Sequence, residues 1–288
     1  MSAASPSAPF PKILVCTDGS PESEGAITAA LHLAKTTGST VFVLEVLFYL
    51  AGYEMQSPDT LAPPVVNLEL MRLQETAARE RLEARQAEAA NEGVSLTPRI
   101  RTSPSAYEGI LEEVGETRPD LIVMGRRGYT GLTRLLMGSV TARVIGHSLA
   151  NVLVVPQGVP LSFERLLMAS DGSPYSEAAW AEALSLAKAM GSALIGVAVA
   201  ASDRDIPTAT GAVRNLEAAA TEQGIPVDTM IPMGRPEEGI VKAAEFKQAS
   251  LIIVGSHGRT GLKRLLMGSV AERVIGLASC PVLVVKKK

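Results

Sequence analysis

Two stretches of the chain pair residue types and spacing suited to holding an anion. The first is Gly125-Arg126-Arg127-Gly128, followed after nine intervening residues by Gly138-Ser139-Val140. The second is Gly255-Ser256-His257-Gly258, with Gly268-Ser269-Val270 at the same distance. Both follow the pattern G-x2-G-x9-G-S. Glycine lets backbone N–H groups approach a ligand closely. A helix N-terminus adds unpaired donors and the positive end of its dipole. Each motif follows a short apolar run, residues 120–123 and 251–254, that reads as a strand. Each precedes helical spacing, with Ser139 or Ser269 expected as the N-cap. Strand, glycine loop and helix start together make a phosphate cradle. The alternative reading is that the glycines only close tight strand-to-helix turns.

An acid recurs as well. Asp18-Gly19-Ser20-Pro21 ends the first apolar run, and Asp171-Gly172-Ser173-Pro174 ends a matching one. Ser20 fits a helix cap and Pro21 the first helical position. Roughly 20 of the 31 positions from Gly125 to Val155 match Gly255 to Val285, which marks an internal repeat.

The elements that must place these residues follow in order. Strands are expected at residues 12–17, 41–46, 95–101, 120–124 and 152–155, with helices to about residue 36, over 67–91 and over 107–117. Residues 47–64, with three prolines and several aromatics, read as a long loop. After a linker at 157–164 the order restarts. Strands two to five of the second repeat are expected at 194–199, 227–231, 251–254 and 282–285, with helices at about 210–223 and 237–247. Alternating apolar strands and helices argue parallel sheets covered on both faces. The fold class is therefore α/β: two tandem, doubly wound, five-stranded domains, residues 11–157 and 163–288, with strand order 3-2-1-4-5. Ligands of such sheets bind beyond the strand ends where the order reverses. Asp18 and Gly125 would then face one crevice, as would Asp171 and Gly255. The fifth strands would be apolar edges, best covered by pairing with each other antiparallel.

Composition sets limits. The 288 residues are 47% hydrophobic and 20% charged, which suits a globular protein. A net charge of −3 gives no overall electrostatic case for nucleic acid. No apolar run is long enough to span a bilayer. Residues 1–11 read as a disordered lead rather than a secretory signal, so the cytoplasm is the expected location. Cys16 and Cys280 read as buried small residues, not a disulfide. His32 and His147 have no partners at metal spacing. Lys286 to Lys288 read as a solvated tail.

On the Asp-Gly-Ser turns and the paired glycine motifs, the sequence resembles the universal stress protein family in its tandem form. The resemblance covers about residues 11–286 and points to the branch that carries the glycine pattern. It implies a Rossmann-like, adenine nucleotide alpha hydrolase-like fold, binding of ATP or ADP, often with Mg²⁺, slow hydrolysis at best, and a role in surviving stress. Carried over by position, Asp18 and Asp171 would hold the ribose or adenine region or the metal. Val46 and Val199, late in strand two, would touch adenine. Met124, Gly125, Val254 and Gly255 would line base and ribose. Gly128, Gly138, Ser139 and Val140, with Gly258, Gly268, Ser269 and Val270, would wrap the phosphates. His257 stands where the family often has histidine. Arg126-Arg127 replaces Ser256-His257 in the first repeat, as extra phosphate ligands or as surface charge. Pro104 replaces Gly234 in the loop after strand three.

The resemblance implies a nucleotide-dependent regulator whose protein partner the sequence does not name. It would be an internal pseudo-dimer that could also form a homodimer. An ATP-consuming enzyme of the ATP pyrophosphatase-like class is the second reading, for which Thr17-Asp18-Gly19-Ser20 is a loose echo. A scaffold without nucleotide is the third.

Overall fold

A computed structural model describes residues 9–47, 68–128, 137–258 and 267–287. Residues 1–8, residues 48–67 with nearly all of the aromatic stretch, the first eight residues of each nine-residue glycine spacer and Lys288 lie outside the described residues. The first half runs β1 (Lys12–Thr17), α1 (Pro21–Thr37), β2 (Thr40–Leu47), α2 (Leu68–Asn91), β3 (Leu96–Thr102), α3 (Ala106–Thr117), β4 (Leu121–Gly125), α4 (Ser139–His147) and β5 (Asn151–Val155). The second runs β6 (Arg165–Ala169), α5 (Pro174–Met190), β7 (Ala193–Val197), a 3₁₀ turn (Asp203–Asp205), α6 (Ile206–Glu222), β8 (Val227–Met230), α7 (Pro236–Phe246), β9 (Leu251–Gly255), α8 (Ser269–Leu277) and β10 (Val282–Val285).

Local chemistry sets the element ends. Ser20 and Ser173 sit in extended backbone, and their hydroxyls accept from the N–H of Ser23 and Ser176. Proline follows in the first turn, where a missing N–H costs nothing. Gly38 and Gly191 close α1 and α5 in the left-handed region, at φ 72° and 67°. Three expectations need correction. Ser139 and Ser269 are the first helical residues of α4 and α8, and Gly138 and Gly268 are the caps. α6 starts at Ile206 rather than near residue 210, because Pro207 fits a first turn. β7 ends at Val197, so Val199 lies beyond the strand.

Each half is a parallel sheet in the order 3-2-1-4-5, as expected from the apolar strands. The two join as one ten-stranded sheet, β3-β2-β1-β4-β5-β10-β9-β6-β7-β8. The junction is antiparallel, with Val282 opposite Val154, Leu283 opposite Leu153 and Val284 opposite Val152. All six side chains are buried. Alternation along the strands sends residues to two faces. Ile13 and Val15 join a core with α1, α2, α5 and α6, while Leu14 and Cys16 join one with α3, α4, α7 and α8. Both cores cross the junction: Leu153 and Leu283 belong to one, Val154 and Val284 to the other.

Cys16 and Cys280 are free and buried. Burial pushes both thiols up, that of Cys280 to about 11. Lys286 departs from the tail reading. It is 9% exposed, and its Nζ donates to the Ile145 carbonyl near the end of α4. Its backbone N–H donates to Asn151 Oδ1 at 2.9 Å. Burial lowers its ammonium from 10.5 to about 8.

Two outcomes follow. Replacing Val154 and Val284 with Lys puts two unpaired charges in the junction. It should cost at least ~2 kcal/mol per site and separate the halves. Unchanged melting and unchanged scattering dimensions would contradict the pairing. For Lys286, the unfolded chain keeps the proton up to about 10.5 while the folded chain releases it near 8. Stability therefore rises with pH across that window. Relative to Lys286→Met, the wild type should gain up to about 3 kcal/mol between those limits in denaturant titrations. A flat difference would show that the ammonium is not desolvated.

Candidate functional site

In the second half a cavity of about 310 Å³ opens beyond the carboxyl ends of β6, β7 and β9. β6 and β9 are neighbours in the sheet, and the chain leaves them for opposite faces, which is the switch point of a doubly wound fold. The lining includes every second-half residue singled out from the sequence: Asp171, Val199, Val254, Gly255, His257, Gly258, Gly268, Ser269 and Val270. Asp205, Thr208 and Ala209 from the start of α6, and Pro236 and Ile240 from α7, also line it.

Close approach explains the glycines. A Cβ on Gly255 would stand 2.8 Å from the carbonyl of Tyr175, in the first turn of α5. A Cβ on Gly258 would stand 2.8 Å from Asp171 Oδ2. The other oxygen of Asp171 accepts from the N–H of Ser173 at 3.0 Å, which fixes the carboxylate over the turn. Gly268 N–H donates to the Ser256 carbonyl at 2.9 Å and folds the two ends of the motif together. No side chain caps α8. Its first internal bond runs from Glu272 N–H to the Gly268 carbonyl at 3.1 Å. The N–H groups of Ser269, Val270 and Ala271 thus have no acceptor within the helix, and these residues line the cavity. They present donors and the positive end of a dipole to an anion.

The rest of the cavity is apolar. Val199 packs on α7, where a Cβ on Gly239 would lie 2.9 Å from the valine methyls. Val197, Val254, Ala209 and Ile240 extend this wall. The His257 ring lies 5.0 Å from that of Tyr175, and its Nδ1 is 3.1 Å from Ser256 Oγ. His257 Nε2 is buried without a partner.

The first half repeats much of this geometry. Asp18 Oδ1 accepts from Ser20 N–H at 3.1 Å, and a Cβ on Gly128 would stand 2.5 Å from Asp18 Oδ2. A Cβ on Gly125 would stand 2.9 Å from the Glu22 carbonyl. Gly138 N–H donates to the Arg126 carbonyl at 2.9 Å, and Ser139 and Val140 open α4. Val46 packs on Gly109 as Val199 does on Gly239, and Met124 is buried at the end of β4. The halves differ around strand two. β2 continues to Leu47, paired with Thr102, so Val46 stays in the sheet. Buried Glu45 pairs with Arg81 of α2 at 2.5 Å, where the second half has Ala198. Gly234 has φ 119° and donates to the Ala200 carbonyl, a bond Pro104 has no N–H to make. Arg126 is not a phosphate ligand here: it donates to carbonyls at the end of α8. Arg127 is half-buried beside Gly128.

Sequence reasoning missed Asp205 and Thr208. The available signal was Ser202-x-x-Asp205, a capping box in which Asp205 Oδ2 accepts from Ser202 N–H and Oγ. Among the described residues no cluster of three His, Cys, Asp or Glu could hold a metal, and no helix is long and apolar enough to cross a membrane.

Fold and site together define a doubly wound α/β protein with a glycine motif beside a cavity at the switch point. Comparison with known proteins agrees. The universal stress protein family matches residues 9–156 and again 162–286. A universal stress protein of Mycolicibacterium smegmatis is 30% identical over 300 residues, covering 96% of this chain and 97% of its own. One from Methanocaldococcus jannaschii is 51% identical over 76 residues, which is 26% of this chain and 45% of that one. The crystal structure of a universal stress protein from Archaeoglobus fulgidus superposes with a TM-score of 0.76 at 25% identity, covering 96% of this chain and 98% of that one. The chain belongs to the universal stress protein family.

The two close glycines predict different outcomes. Gly255→Ala pushes on backbone of α5 and should cost about 2 kcal/mol in chemical denaturation. Gly258→Ala meets only the tip of the Asp171 side chain, which can shift by straining its bond to Ser173, and should cost about 1 kcal/mol or less. Equal costs for the two would contradict this packing.

Proposed function

We propose that the second-half cavity binds an adenine nucleotide, ATP or ADP accompanied by Mg²⁺. The protein then acts as a nucleotide-dependent regulatory or protective factor in the stress response. One observation carries the reading: the N–H groups of Ser269, Val270 and Ala271, which have no acceptor within α8, close-approach glycines and an apolar wall share one cavity. The donors suit phosphate oxygens, and the wall from Val199 to Ile240 suits a flat base. Asp171 would accept from a hydroxyl or an amine of the nucleotide. His257, Gly258 and Gly268 close the phosphate end. The first half, with Asp18, Val46, Met124, Gly125, Arg127, Gly128, Gly138, Ser139 and Val140, is proposed as a second site of the same kind. The nucleotide supplies the phosphate charge that these donors hold.

Hydrolysis is proposed to be slow or absent. The carboxylates lining the cavity each have an oxygen committed to a local turn, Asp171 to Ser173 and Asp205 to Ser202. Neither is placed as a free general base for water. Residues 11–157 and 163–288 are proposed as the two structural units, in a cytoplasmic protein.

Titration with ATP and Mg²⁺ tests this. At 100 times the dissociation constant, binding adds about 2.7 kcal/mol and should raise the melting temperature by roughly 2–4 °C. Gly258→Ala should remove most of the second-half contribution. No shift at millimolar ATP would overturn the reading. Turnover near the roughly 10 s⁻¹ typical of enzymes would replace the regulator with an ATP-consuming enzyme.

A further inference from the structure

The halves are joined by more than the β5–β10 ladder. Arg126 follows β4 in the first half and is half-buried. Its Nη1 donates to the Ala278 carbonyl at 2.8 Å, with the Ile275 and Gly276 carbonyls at 3.4 and 3.5 Å. These are the terminal carbonyls of α8, in the second half. Lys286 follows β10 in the second half, and its Nζ donates to the Ile145 carbonyl of α4 in the first. Ile145 and Ile275 are equivalent positions of the repeat. Each half therefore places a cation on the C-terminus of the helix that ends the other half's glycine motif. Unpaired carbonyls and the negative end of the dipole favour a cation there. The two cations are not repeat equivalents. Ser256 occupies the position of Arg126, and Pro156 that of Lys286. The same contact is thus made twice by different residues.

α8 has nine residues. At a rise of 1.5 Å per residue its two ends are about 12 Å apart. One end holds the cavity's donor row, Ser269 to Ala271, and no side chain caps it. The helix is located by Ala271, Val274 and Ile275 in the core and by Arg126 at its far end. Burial and the neighbouring Arg127 lower the Arg126 guanidinium from its ordinary value, but it remains a cation at any physiological pH.

We propose that Arg126 is a positioning residue for the cavity of the opposite half. Through α8 it sets where the first-turn N–H groups of Ser269, Val270 and Ala271 stand. The first-half glycine loop, in which Arg126 lies, is thereby coupled to the second-half cavity. Coupling of this kind is reciprocal, so a ligand in one loop changes affinity at the other. The ligand side of this inference rests on the nucleotide reading above; the positioning of α8 does not.

The test uses the full chain in two arms. In the first, Gly128→Val blocks the first-half loop, where a Cβ already meets Asp18 Oδ2 at 2.5 Å. Calorimetry with ATP and Mg²⁺ in that background reads the second-half cavity alone. Adding Arg126→Gln should weaken binding about fivefold, and Arg126→Lys should recover most of it. In the second arm, amide exchange is followed without nucleotide at Glu272 and Arg273, at the cavity end of α8. Arg126→Gln should speed it about fivefold, while α4 is unchanged. Unchanged exchange at Glu272 and Arg273 overturns the proposal whether or not nucleotide binds. Faster exchange with unchanged affinity overturns the link to the cavity. Absence of ATP binding in the parent variant removes the nucleotide reading and leaves exchange to decide the positioning.

Discussion

β5 and β10 each end a five-stranded parallel sheet with a row of valines and leucines, and neither row can face water. Left open, each would also expose unpaired backbone groups along one edge. Antiparallel pairing satisfies both strands at once, and the register from Val282–Val154 to Val284–Val152 buries all of their side chains. The sequence repeat makes the solution pseudo-symmetric, because the strands that meet are the same element of each half. Everything outward follows from that seam. The switch points of the two halves are placed on either side of it, and α4 and α8 lie close enough to receive Lys286 and Arg126 from across it.

Within each half the site is made by short distances. Glycine at 125 and 255 lets the end of β4 or β9 touch the first turn of α1 or α5, the first helix of its half. Glycine at 128 and 258 lets the loop rest on the aspartate that ends strand one. The chain then returns through Gly138 or Gly268 to a helix that begins without a capping side chain. In a buried setting a donor row without partners is costly. Here it opens on a cavity, where a ligand can satisfy it. That is the physical difference between a tight turn and a cradle, and it favours the cradle in the second half.

Much of this was legible in the sequence, for identifiable reasons. Parallel strands covered on both faces are continuous apolar runs, so β1, β4, β5, β9 and β10 stand out. Ser20-Pro21 and Ser173-Pro174 announce their helices. The strand order placed Asp171 and Gly255 at one crevice, and they share a cavity. What escaped notice depends on contacts distant in sequence or on competing local signals. Arg126 reaches a carbonyl 152 positions away, so no motif around it could show its task. Lys286 reads as part of a charged tail because its hydrogen-bond partners, Asn151 and Ile145, lie in the first half, far away in sequence. Ser139 and Ser269 are good capping types, but the preceding glycine takes the extended backbone and the helix starts at the serine, one residue earlier than expected. Asp205 and Thr208 join the cavity because α6 starts early and β7 ends early, and both are matters of tertiary fit.

The account stands on one claim, that the first-turn N–H groups of α8 and the apolar wall around Val199 receive a single adenine nucleotide. A crystal structure of the protein grown with ATP and Mg²⁺ tests it most directly. The account predicts phosphate density within hydrogen-bond distance of the Ser269, Val270 and Ala271 N–H groups, with the base against Val199 and Ile240. Nucleotide density at another surface, or none in this cavity at saturating ATP, would contradict it.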